Sequence, residues 1–415
     1  MDNNKKFYGW KIVFASFLIL AMPFAIIFLS HSIFLTPVCE ALGFSATQFS
    51  LVFTIVAIAT AFMSPIAGKL IRQYNVKYIM AISGAIVGIV FGAFGLATQL
   101  WQFYILSALL GIFTSGITQV SVSYVITNWF PEKKKGMATG IAFAGGNVGS
   151  LIVVNVVTQL IPKIGYQKVY FILGAIMFVV TVLVSLFIIK EKPEDINQLP
   201  YGVVKGEAKV EIKNIELEGY TFKEAKSSKV FYVFIIAIVL LGVVFAGVQM
   251  HIPSYIQSVG HSATFASTIL SLVSIFGIFS NVLIGMLLEK AGLKTGMAVI
   301  GVAMIAAVAC LLLGESKMFA MIFGIIFGGF IAIASMGPSY LTSELFGKKE
   351  YGVILGTVMM FFQLGGAIGP TLSGFIYDTT GAYQLTWIIF LVLLVLTFGT
   401  FLFAIKLASN KKEIR

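Results

Sequence analysis

The chain has 415 residues, of which 59% are hydrophobic and only 11% are charged. An ordinary soluble domain is about one quarter charged, so this composition excludes a soluble globular protein and places the chain in a lipid bilayer. The formal net charge of +11 is compatible with nucleic-acid binding, but the positions of the basic residues indicate membrane topology instead, and we expect no nucleic-acid partner. The two cysteines, Cys39 and Cys310, lack metal-ligand and redox spacing, so we expect neither a metal nor another cofactor.

The apolar residues form runs long enough to cross a membrane, for which a helix needs about 20 mostly apolar residues. Twelve such runs lie at 10–36, 47–71, 76–98, 100–127, 135–162, 166–190, 229–257, 264–288, 294–314, 317–345, 350–377 and 383–407. The only long polar interval, Glu191–Ser228, divides them six and six. We therefore predict an all-α membrane protein with a six-helix half at 1–190, a solvated cytoplasmic linker at 191–228 and a second six-helix half at 229–415.

The lysines and arginines are distributed unevenly among the loops. If both termini are placed inside, the outer loops hold only Lys163, Lys168 and Lys317 of the 28 basic residues. An excess of lysine and arginine marks the cytoplasmic loops of membrane proteins. We therefore expect a multi-pass protein of the plasma membrane with both termini in the cytoplasm.

The two halves repeat one another. At an offset of 217 residues, the segment Gly43–Thr47 falls on Gly260–Thr264. Further along the offset becomes 216, which pairs Tyr124 with Tyr340, Gly136 with Gly352 and Gly140 with Gly356. Matches in order and at a nearly constant offset indicate duplicated halves. Two such halves enclose a central cavity, and rocking of one against the other exposes it to each side of the membrane in turn.

A glycine-rich helix follows a lysine-rich turn within the stretch 128–149. Gly136, Gly140 and Ala144 share one helical face, while Gly145 and Gly149 lie on a neighbouring face. Small residues at this spacing let two helix backbones approach closely within a membrane. We therefore predict close helix packing here and at the repeat-related glycines.

Two loops carry copies of the pattern G-x-L-x-D-R/K-x-G-x-K. The first copy keeps Gly68, Leu70 and Lys77 but has Arg72 at the acid position and Asn75 at the second glycine. The second copy consists of Gly285, Leu287, Glu289, Lys290, Gly292 and Lys294. The pattern resembles the signature of the major facilitator superfamily, and the resemblance implies its fold of twelve transmembrane helices in two pseudo-symmetric halves.

That resemblance also implies residues for gating and conformational change. In the superfamily the acid pairs with a helix terminus and basic residues to hold one conformational state, so Arg72 puts this latch in question for the first half. The residues expected to serve movement are Gly68, Arg72, Gly136, Gly140, Gly285, Glu289, Lys290, Gly292, Gly352 and Gly356.

Trp129-Phe130, the lysines that follow and the glycine helix together resemble the monocarboxylate porters and the oxalate/formate antiporters, as does the Tyr8-Gly9-Trp10 opening. These families place an arginine on the eighth helix, and oxalate exchangers add a lysine on the eleventh. Here Asn281 and Gln363 stand in those helices. A divalent anion without a counter-charge is costly in a membrane, which argues against oxalate and leaves a monocarboxylate or a neutral compound.

Polar residues within the apolar runs should face the protein interior, because lipid offers them no hydrogen-bond partners. Tyr124 and Tyr340 are the leading substrate contacts, since the resembling families use tyrosines there to bind a carboxylate. The full set of candidates is Tyr124, Tyr340, His31, Gln119, Asn147, Gln249, Asn281 and Gln363. Each of the amides has an alternative role in binding neighbouring helices together.

No aspartate or glutamate lies in the middle of an apolar run, so His31 is the candidate proton carrier, because histidine titrates near neutral pH. We expect a symporter; if His31 does not titrate, uniport or exchange (an antiporter) follows. The chain has no nucleotide-binding P-loop and no catalytic constellation, so we expect no enzyme.

The resulting expectation is a monomeric secondary transporter of small organic solutes, with monocarboxylates first. The alternative cargo is a neutral or amphipathic compound, taken up or exported. The alternative of another class is a membrane sensor or scaffold that does not transport.

Overall fold

The computed structural model describes residues 7–29, 31–130, 134–203 and 218–412. Twelve helices in these residues are long and apolar enough to cross a membrane, which confirms the number predicted from the sequence. They begin with Gly9–Ile27 and end with Gln384–Ser409. The described residues divide into two compact units, which we call the N unit (Met1–Gly219 with Lys348–Thr357) and the C unit (Tyr220–Gly347 with Val358–Arg415).

Among its described residues, the N unit contains eight complete α-helices. They are α1 (Gly9–Ile19), α2 (His31–Leu42), α3 (Ala46–Gln73), α4 (Val76–Ala93), α5 (Leu100–Thr114), α6 (Gln119–Trp129), α7 (Lys135–Ile164) and α8 (Tyr166–Leu183). Between α1 and α2 the backbone forms a π-helix, Leu20–Leu29, that contains Pro23. Proline removes one backbone donor and crowds the preceding turn, and a π-helical segment is one way in which a helix accommodates such a disturbance.

Nine α-helices follow in the part of the C unit that the structure describes. They are α9 (Phe222–Lys226), α10 (Lys229–Ser258), α11 (Ala263–Ala291), α12 (Leu293–Leu311), α13 (Lys317–Phe330), α14 (Ala332–Ser335), α15 (Gly337–Phe346), α16 (Tyr351–Thr380) and α17 (Gln384–Lys412). The first residues of α16, up to Thr357, belong to the N unit. The interruption between α5 and α6 recurs between α13 and α14, where Ser115 corresponds to Ile331 at the offset of 216.

The repeated segment at Gly43–Thr47 and Gly260–Thr264 has the same structural task in each half. Gly43 and Gly260 adopt positive φ values of 71° and 90°, a conformation that glycine adopts without steric cost. Two residues later, the Ser45 hydroxyl accepts the backbone N–H of Gln48 at 3.1 Å and begins α3. The Ser262 hydroxyl likewise accepts the N–H of Phe265 at 3.2 Å and begins α11. The repeat therefore preserves a helix cap.

Close backbone packing at glycine is confirmed in both units. A Cβ atom at Gly149 would collide with the carbonyl oxygen of Ala21. At the repeat-related Gly365, a Cβ would collide with the carbonyl oxygen of Val239. Helix α7 thus lies against the first transmembrane segment of the N unit, and α16 lies against α10 in the same manner, because only glycine permits this approach.

Substitution of these two glycines should destabilise the protein. We expect Gly149→Ala and Gly365→Ala each to cost about 1–3 kcal/mol, because a methyl group forced against backbone cannot be relieved by a rotamer change. The measurement is the melting temperature of the purified protein in detergent. Gly399→Ala in α17 is the matched control, since no atom lies within 4 Å of the added Cβ and helix propensity favours alanine by up to about 1 kcal/mol. Equal melting temperatures for all three variants would contradict the packing argument.

Candidate functional site

The first residues of the linker are docked on the N unit. The indole Nε1 of Trp129 donates to the carbonyl of Lys190 at 2.9 Å, and the Asn128 amide donates to the carbonyl of Glu191 at 3.3 Å. Further on, the N–H of Tyr201 donates to the carbonyl of Trp129 at 2.9 Å. The sequence indicates a solvated segment from 191 onward, whereas this part of it forms specific bonds with the end of α6.

An aromatic cluster holds the same region together. The ring of Phe7 meets those of Trp129, Phe130 and Tyr201 with centroids 5.4 to 5.8 Å apart. The Lys134 ammonium lies 5.1 Å from the Tyr201 ring centroid, within the range of cation–π attraction. Trp129-Phe130, which we identified from the sequence as a family resemblance, therefore forms part of the surface on which the linker docks.

Glu191 is the central charged group of the docked linker. Its Oε2 accepts the N–H of Val76, the first residue of α4, at 3.2 Å, and its Oε1 accepts the hydroxyl of Tyr124 at 3.2 Å. Burial raises the pKa of Glu191, although these two hydrogen bonds and the nearby Lys192 partly oppose that rise. The carboxylate also lies at the positive end of the α4 dipole, where negative charge is favoured.

A cavity of about 290 Å³ opens beside Glu191 in the N unit. Its lining is rich in charge of both signs and includes Arg72, Lys192, Lys348, Glu191, Glu194 and Glu350. Tyr124 and Asn128 contribute neutral hydrogen-bonding groups to the wall. The cavity could hold a small polar or charged molecule only by competing with contacts that these groups already make.

Four of the predicted gating residues meet next to this cavity. Arg72 forms a salt bridge with Glu350. A Cβ at Gly68 would collide with the carbonyl oxygen of Gly352, and a Cβ at Gly356 would collide with that of Ser64. The residues Gly68, Arg72, Gly352 and Gly356 thus lie in one contact region of the N unit, as close neighbours along α3 and the start of α16.

The departures of the first signature copy have structural partners. Arg72, at the acid position, pairs with the acid Glu350 instead. Asn75, at the glycine position, has φ of −59° and caps α4 through its side chain, which accepts the N–H of Lys77 at 3.0 Å. Sequence reasoning missed Glu350 and Glu191, because both lie far along the chain from the residues they contact.

The second copy lies in the C unit. Gly292 joins α11 to α12 with φ of +77°, a conformation that favours glycine at the end of a helix. Glu289 is half-buried and Lys290 is exposed, while Gly285 is buried. The carboxylates of Glu344 and Glu289 lie close enough to Tyr340 to act on its hydroxyl electrostatically. Gly136 and Gly140 are buried in the first turns of α7.

The predicted substrate residues lie in varied environments. Asn281 is fully buried, and its Nδ2 donates to the carbonyl of Gly277 at 3.2 Å while its Oδ1 accepts the Ser335 hydroxyl at 3.2 Å. Tyr340 is buried in α15 and Tyr124 is half-buried in α6. Gln119, Asn147 and Gln363 are half-buried, and Gln249 is exposed on α10. His31 begins α2, but its side chain lies outside the described residues.

Twelve apolar helices among the described residues, each long enough to cross a bilayer, define a polytopic membrane protein. The chain matches the model of the Major Facilitator Superfamily over residues 12–317 and 256–414 and belongs to that superfamily. It is therefore a transporter of small solutes and not an enzyme.

Curated relatives differ in the cargo that their names give. The chain is 24% identical to the sialic acid transporter NanX of Escherichia coli K12, over 85% of this chain and 82% of that protein. It is 23% identical to monocarboxylate transporter 12 of Rattus norvegicus, over 92% of this chain and 82% of that protein. A match to the Escherichia coli multidrug resistance protein MdtG reaches 31% identity but covers only 36% of each chain.

A solved structure of the Escherichia coli fucose:proton symporter FucP superimposes with a TM-score of 0.70. The alignment covers 96% of this chain and 99% of that chain at 14% sequence identity. An identity this low shows the fold alone, which agrees with the twelve-helix architecture expected from the sequence.

The raised pKa of Glu191 predicts a pH-dependent stability. A carboxyl group whose pKa is raised on folding stabilises the protein below its ordinary value of 4.5, and this contribution is lost as the pH rises through the raised value. We therefore expect the melting temperature of the wild type to fall, relative to that of Glu191→Gln, as the pH is raised from below 4.5 through the raised pKa of Glu191. Glu194→Gln, at an exposed neighbouring position, is the matched control and should follow the wild type. Parallel curves for wild type and Glu191→Gln would contradict the assignment.

Proposed function

We propose that the chain transports small monocarboxylates by alternating access. The observation that carries this proposal is the geometry of Tyr124, whose hydroxyl donates to a carboxylate, that of Glu191, at 3.2 Å. A neutral donor in this position can bind a substrate carboxylate without a permanent cation in the membrane. Two relatives named for acids, a sialic acid transporter and a monocarboxylate transporter, support the same class of cargo.

Tyr340 is the partner of Tyr124 by the repeat, and we assign it the same role in the second half. The Asn281 amide donates to Gly277 within α11 and accepts the Ser335 hydroxyl of α14, which supports a role in joining α11 to α14. His31, Gln119, Asn147, Gln249 and Gln363 remain proposed contacts. We also propose proton symport through His31 and function as a monomer. We further propose a plasma-membrane location with both termini in the cytoplasm.

The second candidate is a neutral or amphipathic cargo. The buried amide of Asn281 in place of a cation favours it, as does the partial match to a multidrug resistance protein. A sensor or scaffold that does not transport is the third candidate. A scaffold would not need the close glycine contact between Gly68 and Gly352. Such a contact, free of side chains, is expected where two surfaces separate and re-form their contact during transport.

Thermal stabilisation by candidate solutes tests the cargo. A ligand that binds only the folded protein stabilises it by about 2.7 kcal/mol at 100 times its dissociation constant. We expect lactate and pyruvate to raise the melting temperature of the purified protein, and Tyr124→Phe and Tyr340→Phe each to abolish that rise.

The control variant is Tyr232→Phe, because this side chain is 53% exposed on α10 and should leave the response intact. Stabilisation by uncharged analogues alone would reject the monocarboxylate and favour the second candidate. Solute flux in reconstituted vesicles separates both from the scaffold, which would carry none.

A charge exchange tests whether Arg72 and Glu350 act as a latch during transport. Arg72→Glu and Glu350→Arg each place like charges together, so each should slow lactate counterflow in vesicles several-fold, and the double variant should recover. Because the Arg72 side chain is 57% exposed, the pair should contribute less than about 1 kcal/mol to stability, and melting temperatures should change little. A double variant as slow as the single variants would show that the salt bridge has no part in gating.

A further inference from the structure

His251, in the second half of α10, joins three segments of the C unit. Its ring Nε2 lies 3.0 Å from the carbonyl oxygen of Pro370 in α16. Its Nδ1 lies 3.1 Å from the hydroxyl of Tyr383, in the turn between α16 and α17. Both ring nitrogens are therefore within hydrogen-bond distance of groups on other elements, and the ring is half-buried.

The chemistry of the partners determines the tautomer of the neutral ring. The carbonyl oxygen of Pro370 can only accept a hydrogen bond, so Nε2 of His251 must carry a hydrogen and donate it. In the neutral imidazole the other nitrogen, Nδ1, has no hydrogen and accepts. The hydroxyl of Tyr383 must then be the donor of the second bond.

A proton added to His251 inverts only one of these two bonds. The bond from Nε2 to Pro370 is retained, because Nε2 is a donor in both states. Nδ1 becomes a donor, so the Tyr383 hydroxyl must turn to accept and give its own hydrogen to a different acceptor. Ser254, one turn of α10 from the ring, already hydrogen-bonds with Tyr383 and offers such an acceptor.

Tyr383 is placed to transmit this change. Its side chain is only 5% exposed, and its ring stacks on Tyr377 with centroids 4.5 Å apart and on Trp387 with centroids 5.8 Å apart. Gly381, with φ of +71°, forms the turn just before it. A reorientation at Tyr383 thus acts on the end of α16 and the beginning of α17.

The titratable groups around the ring come from each element packed against it. Tyr383 from the turn meets the ring itself, and Tyr255 from α10 and Tyr377 and Asp378 from α16 surround Tyr383. Asp378 is the carboxyl group of this set, and it acts on Tyr383.

We propose that His251 is a proton-binding site that switches the contact of α10 with α16 and the following turn. Imidazole is the side chain that changes charge around physiological pH, and here the charge change converts an acceptor facing a donor into two donors facing each other. The proton site stands on this geometry alone, whereas its coupling to solute movement rests on the proposed transport function.

Nitrogen NMR of the full chain, labelled with ¹⁵N-histidine in nanodiscs, tests the site directly. The chain has three histidines, and His251→Gln identifies the signals of His251 by their loss. We expect the neutral ring to carry its hydrogen on Nε2, and acidification of the sample to add the second hydrogen at Nδ1. Tyr383→Phe should keep the Nε2–H form and shift the Nδ1 resonance, because Nδ1 loses its donor.

Hydrogen exchange measured by mass spectrometry tests the switch. Glutamine at position 251 can donate to Pro370 and accept from Tyr383, so it imitates the neutral ring and cannot be protonated. We expect exchange in peptides spanning 370–387 to respond to pH in the wild type and not in His251→Gln. His261→Gln is the matched control, because His261 bonds the carbonyl of Gly314 at 3.0 Å away from Tyr383, and it should respond as the wild type does.

An Nδ1–H tautomer, a ring whose charge stays constant on acidification, or an equal pH response in wild type and His251→Gln would overturn the switch. None of these outcomes depends on the cargo. Conversely, failure of lactate and pyruvate to stabilise the protein would reject the proposed cargo and leave the NMR result unaffected.

Discussion

Close contact between helix backbones is the constraint on which this structure depends. Lipid tails are as apolar as leucine side chains, so helices within a bilayer gain little by hiding apolar surface from their surroundings. Their association relies on van der Waals contact, and glycine increases this contact because its lack of a side chain lets two helix backbones approach closely. Gly149 against Ala21 and Gly365 against Val239 place such contacts at equivalent points of the two repeats.

The cost of a charge in lipid explains why the charged contacts described above lie at helix ends. A charge in the middle of the membrane needs a partner and a desolvated site, whereas a charge at a helix end can bond to free backbone groups. Glu191 accepts the N–H of Val76 at the start of α4, and Lys348 donates to the carbonyl of Thr127 near the end of α6 at 3.0 Å. These charged contacts therefore link helix ends, while the polar contacts within the spans, such as that of Asn281 with Ser335, are made by neutral side chains.

The sequence predicted those features that local patterns encode. Apolar run length revealed the twelve spans, and the nearly constant offset identified Gly43–Thr47 and Gly260–Thr264 as equivalent segments, whose role as helix caps the structure added. Bonds between distant positions carry no such pattern. Glu191 meets Val76 across 115 residues and Glu350 meets Arg72 across 278 residues, so the docked linker and the reversed charge pair could be found only from the structure. For Asn281, the sequence showed a polar residue within an apolar run, but its hydrogen-bond partners, Gly277 and Ser335, were found only from the structure.

The two halves share equivalent backbone features, but they differ in the charged residues at equivalent positions. Both halves retain the capping serine, the close glycine and the tyrosine at 124 or 340. Where the second half has Glu289, the first has Arg72, which pairs with Glu350. The hydroxyl of Tyr124 donates to the carboxylate of Glu191, whereas Tyr340 lies in the field of Glu344 and Glu289. Packing contacts tolerate duplication because each half must bury the same surfaces, but two halves with identical charges would respond identically to a solute. A difference in charge between equivalent positions therefore makes the two halves electrostatically distinct although their backbones repeat.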